Sequence, residues 1–325
     1  MKKFRLAIIG AGSRANQAIY PAFNALENVE IVAICDIDKD RLNKTADKYG
    51  VEKRYGDNVF SYRDMLNEIK PDGVAIIGSP HVMYDLWMWT LKNGFNLYVE
   101  KPLALSMHQV INLVNAAKEN DCKTAVSLQR RSTPVVMKMK DKCLEKGPIT
   151  HAVCRFYKCE IHPFVKERDH MMDDTVHAID TLRWACGGEV VKVESMTKRV
   201  GVPDINFISA TLHFDNGATG YLINSWSSGR RIFDLEMHAP GICAEVEHEV
   251  GGKIYADGDT VGEYYDSKGI AGSDLFSTYT GVTNVANEWV TACIENRQAE
   301  TCFENTTKTM KVAEIILAQS LLADR

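Results

Sequence analysis

The 325-residue sequence contains no uninterrupted apolar stretch approaching the roughly 18 residues that a membrane-crossing helix requires. The apolar run near its start, Leu6-Ala7-Ile8-Ile9, stops at Gly10, well short of a secretory core segment. No membrane partner and a cytoplasmic location are therefore expected. Positive charge is also scarce: 38 Lys and Arg stand against 43 Asp and Glu, a formal net charge of −5, which argues against a nucleic-acid partner. The nine cysteines form no C-x-x-C pair and no zinc-finger spacing. Cys154 and Cys159 lie an odd number of positions apart in a strand-like segment, so alternating faces separate them. His81, His108, His151, His213, His238 and His248 show no metal-ligand spacing either. Reduced, mostly buried thiols and no metal are expected. The G-x-S-x-G, H-E-x-x-H and P-loop patterns are absent.

The hydrophobic content of 45% and charged content of 25% are ordinary for a globular protein, and the length exceeds what one core usually supports. Two domains are expected, over residues 1–123 and 124–325, joined near 123–131 without a low-complexity linker. The first half alternates strand and helix. Arg5 to Ile9, Val29 to Cys35, Gly73 to Ile77, Asn96 to Glu100 and Thr124 to Leu128 read as strands. Between them lie helical patterns at Ala15 to Leu26, Lys39 to Tyr49 and Ser61 to Glu68, a helix ended by Gly94, and one opened by the capping box of Ser106 and Gln109. Such alternation predicts an α/β Rossmann domain with a doubly wound parallel sheet.

The second half bunches its strands: Thr150 to Glu160, Val190 to Val200, Ile208 to Phe214, Gly220 to Trp226 and Ile232 to His238. Phe214-Asp215-Asn216-Gly217 supplies a hairpin turn. Helices are predicted from about Asp173 to Cys186, over Asn284 to Glu295 and over Thr306 to Leu322. The pattern predicts an α+β domain with a large, mostly antiparallel open sheet.

Three local features carry chemistry. Gly10-Ala11-Gly12-Ser13-Arg14-Ala15 is G-x-G-x-x-A between a strand and a helix: Gly10 permits a tight turn, Gly12 lets a pyrophosphate approach the backbone, and Ala15 permits close helix packing. Small residues also serve ordinary turns, but Asp36 ends the second strand, where a carboxylate can accept hydrogen bonds from the ribose of NAD and repel the 2′-phosphate of NADP. A solvated strand-end acid is the plainer role for Asp36; Arg14 and Arg41 are possible counterweights for a phosphate. Glu100-Lys101-Pro102 closes a later strand at the carboxyl edge, where ligands bind in open α/β sheets. Finally, Asp173 and His177 are spaced i, i+4 on one helix face, and histidine suits a general base near neutral pH. Asp180 and Trp184 continue that stripe, a pattern that a packed core histidine would share.

The combination of Gly10-x-Gly12, Asp36, Ser79-Pro80, Glu100-Lys101-Pro102-Leu103-Ala104, Gln129-Arg130-Arg131, Asp173-x-x-x-His177-x-x-Asp180 with Trp184, and the Phe214–Gly217 turn resembles the Gfo/Idh/MocA oxidoreductases over essentially the whole chain. The resemblance implies NAD as cofactor, in preference to NADP, held by Gly10, Gly12, Ser13, Arg14, Asp36, Ser79, Pro80, Glu100 and Lys101. It implies that Lys101, Asp173 and His177 meet the reacting carbinol of a sugar, cyclitol or derivative, with hydride passing to the nicotinamide. Lys101 would stabilise charge on the oxygen. Asp174 also lies close to His177, and only the family register sets it aside. Arg131, Tyr157, His162 and Arg168 are further candidates for substrate contact.

The chain departs from the family at Thr175, where Gly is common, at Tyr84, where His is common, and in Arg168-Asp169-His170-Met171-Met172, where a glycine run is usual. These departures fall on the substrate pocket and keep open a redox-neutral NAD-dependent glycosidase or lyase, as some relatives are. A non-catalytic NAD sensor would have no evident need for Lys101, Asp173 and His177 together. Relatives pair through the C-terminal sheet, which implies a homodimer or homotetramer.

Overall fold

The computed structural model describes residues 2–166 and 168–323. Six short strands, β1 (Phe4–Ile9), β2 (Val29–Cys35), β3 (Arg54–Tyr55), β4 (Gly73–Ile76), β5 (Leu97–Val99) and β6 (Thr124–Val126), form a wholly parallel sheet in the order β3-β2-β1-β4-β5-β6. Strands β4, β5 and β6 are buried at every position, as continuous apolar runs between two helical layers must be. The order reverses between β1 and β4, the topological switch point beside which ligands bind in open sheets.

Eight strands make the second sheet: β7 (His151–Cys159), β8 (Val190–Lys198), β9 (Phe207–Phe214), β10 (Thr219–Ser225), β11 (Ser227–Ala239), β12 (Ile242–Glu247), β13 (Gly251–Ala256) and β14 (Glu263–Asp266). Their order is β14-β13-β12-β11-β7-β10-β9-β8, and every adjacent pair is antiparallel except β7 with β10. Both fold classes match the expectation. Strands β12 to β14 extend the sheet beyond the strands predicted, although Ile242, Ala244 and Val246 already alternate with polar neighbours. On β7 the same alternation buries Ala152, Cys154 and Phe156 against the helix Val176–Cys186 and turns Val153, Arg155 and Tyr157 to the other face.

The chain divides into two compact units, but not at a single point. The first runs to Leu128 and adds Leu275–Thr278 and Val282–Thr307; the second holds Gln129–Asp274, Tyr279–Gly281 and the chain from Lys308. A boundary at 123/124 would separate β6 from its sheet and the helix Val282–Ile294 from the core it completes. Trp289 of that helix is fully buried among Phe4, Phe23 and Tyr98, with ring centroids 5.6–5.9 Å away, and its indole donates to the Lys123 carbonyl at 3.2 Å.

Half of the capping box forms, Gln109 N–H donating to Ser106 Oγ, while the Gln109 side-chain oxygen accepts from the N–H of Leu105, one residue before the cap, at 3.0 Å. The helix expected from Asp173 instead opens with a wider π-helical turn over Met171–Thr175 before the α-helix Val176–Cys186.

His248, in the second unit, is fully enclosed; its Nδ1 faces the Phe233 carbonyl at 3.1 Å and its ring meets Phe233 edge-on. Burial, reinforced by the nearby Arg130 guanidinium, holds its pKa well below the ordinary 6.5. The folded state therefore keeps the ring neutral while the unfolded chain protonates it as pH falls below about 6.5. Stability contributed by this neutral ring is complete above that pH and declines below it. Urea unfolding between pH 7 and 5 is expected to show a shallower loss in His248→Gln than in the parent (roughly half a proton or more per molecule less in slope). Identical slopes would sink this assignment.

Candidate active site

The nucleotide loop is shaped by contacts that leave no freedom at its first glycine. Gly10 lies at φ +104°, and a Cβ there would stand 2.2 Å from the carbonyl oxygen of Ile77, just beyond β4. Gly12 differs: a Cβ on it would meet no protein atom within 4 Å. The Gly10 and Ala11 N–H groups are already used, by the Cys35 carbonyl and by Asp36 Oδ2 at 2.6 Å, so donors for an anion begin at Gly12. Ser13 is exposed, and Ala15, without exposure, packs the following π-helical turn Ala15–Ile19 onto the sheet.

Asn16 fixes the loop from behind. Its side-chain amide donates to the carbonyls of Ala11 and Gly12 and to Thr45 Oγ1, while Tyr20 donates to the Gly10 carbonyl. In the sequence, the only signal for Asn16 is its position in the first turn after G-x-G. A groove of about 320 Å³ opens beside the loop, lined by Gly12, Ser13, Asn16, Arg41, Lys44 and Lys48 among others. An unfilled approach at Gly12 and a cationic wall fit a dinucleotide pyrophosphate.

Asp36 is half-buried, its second oxygen accepting from Asp38 N–H at 2.8 Å. Both arginines that could offset it against a 2′-phosphate are engaged: Arg41 with Asp38 at 3.0 Å, and Arg14 with Glu100 Oε1 at 3.0 Å. The latter pair ties the glycine loop to the turn after β5, where Glu100 is buried, Lys101 half-buried, and the Lys101–Pro102 peptide cis. Ser79 and Pro80 open the helix Pro80–Lys92 after β4, with Pro80 in its first turn. Tyr84, on that helix, accepts a hydrogen bond from Asn112.

In the second unit, Asp173 and Asp174 are separated by their partners. Asp174 Oδ2 accepts from Lys158 Nζ at 2.6 Å and from the Trp226 indole at 2.9 Å, a buried brace that fully occupies that oxygen. Asp173 Oδ2 accepts a looser bond from the exposed Lys166, at 3.3 Å. His177 is buried on the first turn of the α-helix, and its carbonyl accepts from Thr181. Thr175, at the family's glycine position, is fully buried and accepts from Asn224 on β10 at 3.0 Å, so its hydroxyl links the turn to the sheet. Lys166 carries no signal in the sequence, because it lies in an irregular segment without periodicity.

Four weaker candidates have the following surroundings. Arg131 is buried, with its Nε 3.4 Å from Asp180, an ion pair within the core. Tyr157 points to the sheet face opposite the helix of His177, because residues one apart on a strand face opposite ways. His162 is exposed. Arg168 pairs with Asp169 at 2.8 Å and Glu314 at 2.7 Å. His170, by contrast, is buried between Trp226 and Phe164; burial lowers its pKa, so it offers no positive charge to an anionic sugar at neutral pH.

The two glycines should fail in different ways. Gly10→Ala is expected to cost about 3 kcal/mol or more of stability, read by thermal or urea unfolding. Gly12→Ala is expected to stay within about 0.5 kcal/mol of the parent yet weaken NADH binding by about tenfold or more in a fluorescence titration. Equal behaviour of the two would contradict the geometry.

Comparison with known proteins gives the family and the fold. Residues 4–128 match the oxidoreductase family with an NAD-binding Rossmann fold, and residues 160–240 match the Gfo/Idh/MocA C-terminal domain. Inositol 2-dehydrogenase of Salmonella paratyphi B is 25% identical over 185 residues, 55% of this chain and 54% of that one. Myo-inositol 2-dehydrogenase of Thermotoga maritima is 25% identical over 233 residues, 68% of each. The chain thus spans about half the length of the first of these curated relatives. The crystal structure of a dehydrogenase from Chromobacterium violaceum shares the fold, with a TM-score of 0.88, 20% identity, and coverage of 100% of this chain and 97% of that one. With its nucleotide loop, its paired sheets and both family domains matched over more than half its length, the chain belongs to the NAD-binding Gfo/Idh/MocA oxidoreductase family.

Proposed function

We propose that the protein is an NAD-dependent dehydrogenase that oxidises a CH–OH group of a sugar, cyclitol or derivative. The observation that carries this reading is the Arg14–Glu100 ion pair, which joins the nucleotide loop to the turn bearing Lys101. A lysine held there lies beside the reacting end of a bound nucleotide. NAD, when bound, accepts the hydride leaving the carbinol carbon. His177 takes the hydroxyl proton, Lys101 donates a hydrogen bond to the oxygen as it becomes a carbonyl, and Asp173 holds the imidazole or a neighbouring hydroxyl. The brace on Asp174 favours Asp173 for that last role. NAD is favoured over NADP by Asp36, with Arg14 and Arg41 both engaged by carboxylates.

The first unit serves the nucleotide and the second the substrate. The open face of the eight-stranded sheet, with Met196 and Tyr221 exposed, pairs copies into a homodimer or homotetramer. The nine unpaired cysteines fit a reducing, cytoplasmic setting.

Two measurements test this. Near-ultraviolet absorbance is expected to report sustained NADH accumulation from NAD with a member of a panel of aldoses, inositols and amino sugars, and little with NADP. Lys101→Met and His177→Asn should each lower kcat by about 10²–10⁴-fold while NADH affinity changes little. A burst no larger than the enzyme concentration would replace net oxidation with the redox-neutral reading; unimpaired variants would remove these residues from the reaction. Light scattering should give a dimer or tetramer that Tyr221→Lys weakens, and a monomeric parent would end the pairing proposal.

A further inference from the structure

The second sheet carries a row of ligating side chains far from His177 in chemistry and in orientation. In the register of β7, β11 and β12, His238 stands opposite His151 on one side and opposite Cys243 on the other. The intervening positions Ala152, Met237 and Ala244 are buried on the helix-covered face, so the row lies on the opposite one. Glu236, two residues before His238 on the same strand, shares that face.

The donor atoms are already close. Cys243 Sγ lies 3.7 Å from His238 Nε2, and Glu236 Oε1 lies 3.6 Å from the same nitrogen. All three atoms fall within 4.8 Å of one another, and all three residues are half-buried. Around a tetrahedral zinc ion, ordinary bond lengths place sulfur and nitrogen about 3.6 Å apart, and nitrogen and oxygen about 3.3 Å apart. These two separations therefore need to change by only a few tenths of an ångström, while the sulfur–oxygen separation lies within 4.8 Å. The His151 ring stacks on His238 at 4.1 Å and 8°, restricting its rotation. Rigid strands supply all three residues, so little ordering remains to be done on binding.

We propose that Glu236, His238 and Cys243 form a binding site for a divalent transition-metal ion of the zinc class. A thiol, an imidazole and one carboxylate suit a borderline-soft ion rather than magnesium or calcium, which require oxygen donors. Binding replaces the S–H bond of Cys243 with a sulfur–metal bond and releases the proton to solvent; no electron is transferred. Three protein ligands leave a fourth position to water. The site escapes inspection of the sequence because its ligands come from two strands in register, with no motif spacing.

The test uses the full chain, stripped with chelator and kept reduced with a phosphine. Titration with Co²⁺ is expected to give a thiolate-to-cobalt charge-transfer band that saturates at one equivalent and is bleached by Zn²⁺. Cys243→Ser should abolish the band, and His238→Gln and Glu236→Gln should each weaken Co²⁺ binding by about tenfold or more. Cys159→Ser, which changes the exposed cysteine, should leave it intact. Circular dichroism verifies folding, and His238→Gln decides the matter if Cys243→Ser is unstable. No charge-transfer band at stoichiometric Co²⁺, or a band surviving both Cys243→Ser and His238→Gln, overturns the site.

Discussion

The close approach of Gly10 to the Ile77 carbonyl is the constraint on which the first unit depends. It brings the loop after β1 against the segment leaving β4, at the point where strand order reverses. From that contact follow the exit of the chain toward Gly12, the reach of Ala11 N–H to Asp36, and the station from which Arg14 meets Glu100. Each later contact is an ordinary hydrogen bond or ion pair. Together they tie three strand ends to one loop, so the ribose acid is coupled to the loop through its backbone and the Lys101 turn through the Arg14–Glu100 side-chain pair.

The second unit solves a different problem, how to bury several acids beside a histidine without leaving charge unpaired. Asp180 is paired with Arg131, and Asp174 is held by Lys158 and Trp226. These acids are consumed by structure. Asp173 pairs with the exposed Lys166, and an ion pair of that kind has little energetic weight in water. Burial of His170 completes the arrangement by supplying apolar wall rather than charge.

Much of the architecture was readable because its determinants are local. Glycine spacing, the acid at the end of β2 and the lysine-proline turn each lie within a few residues, and strand–helix alternation has a definite period. What was hidden is set by register and by long-range pairing. Strand alternation turns Tyr157 to the sheet face opposite the helix, and an ion pair with Asp180 engages Arg131, neither of which a local pattern shows. Lys166 becomes relevant only because an irregular segment returns it to Asp173, and the amide of Asn16 only because the loop curls over it. Strands β12 to β14 carry the right alternation, but Gly251-Gly252 and short length weaken the signal.

The placement of Trp289 has a consequence for the order in which the molecule is made. Phe4, Phe23 and Tyr98 leave the ribosome early, but the indole that fills the space between them is encoded almost two hundred residues after Tyr98. During synthesis the nucleotide-binding sheet must wait, its apolar end uncovered, until nearly the whole of the other unit has been translated. Completion of the first core is thus a late event, and a chain interrupted before the helix Val282–Ile294 carries an open hydrophobic socket for quality control to find.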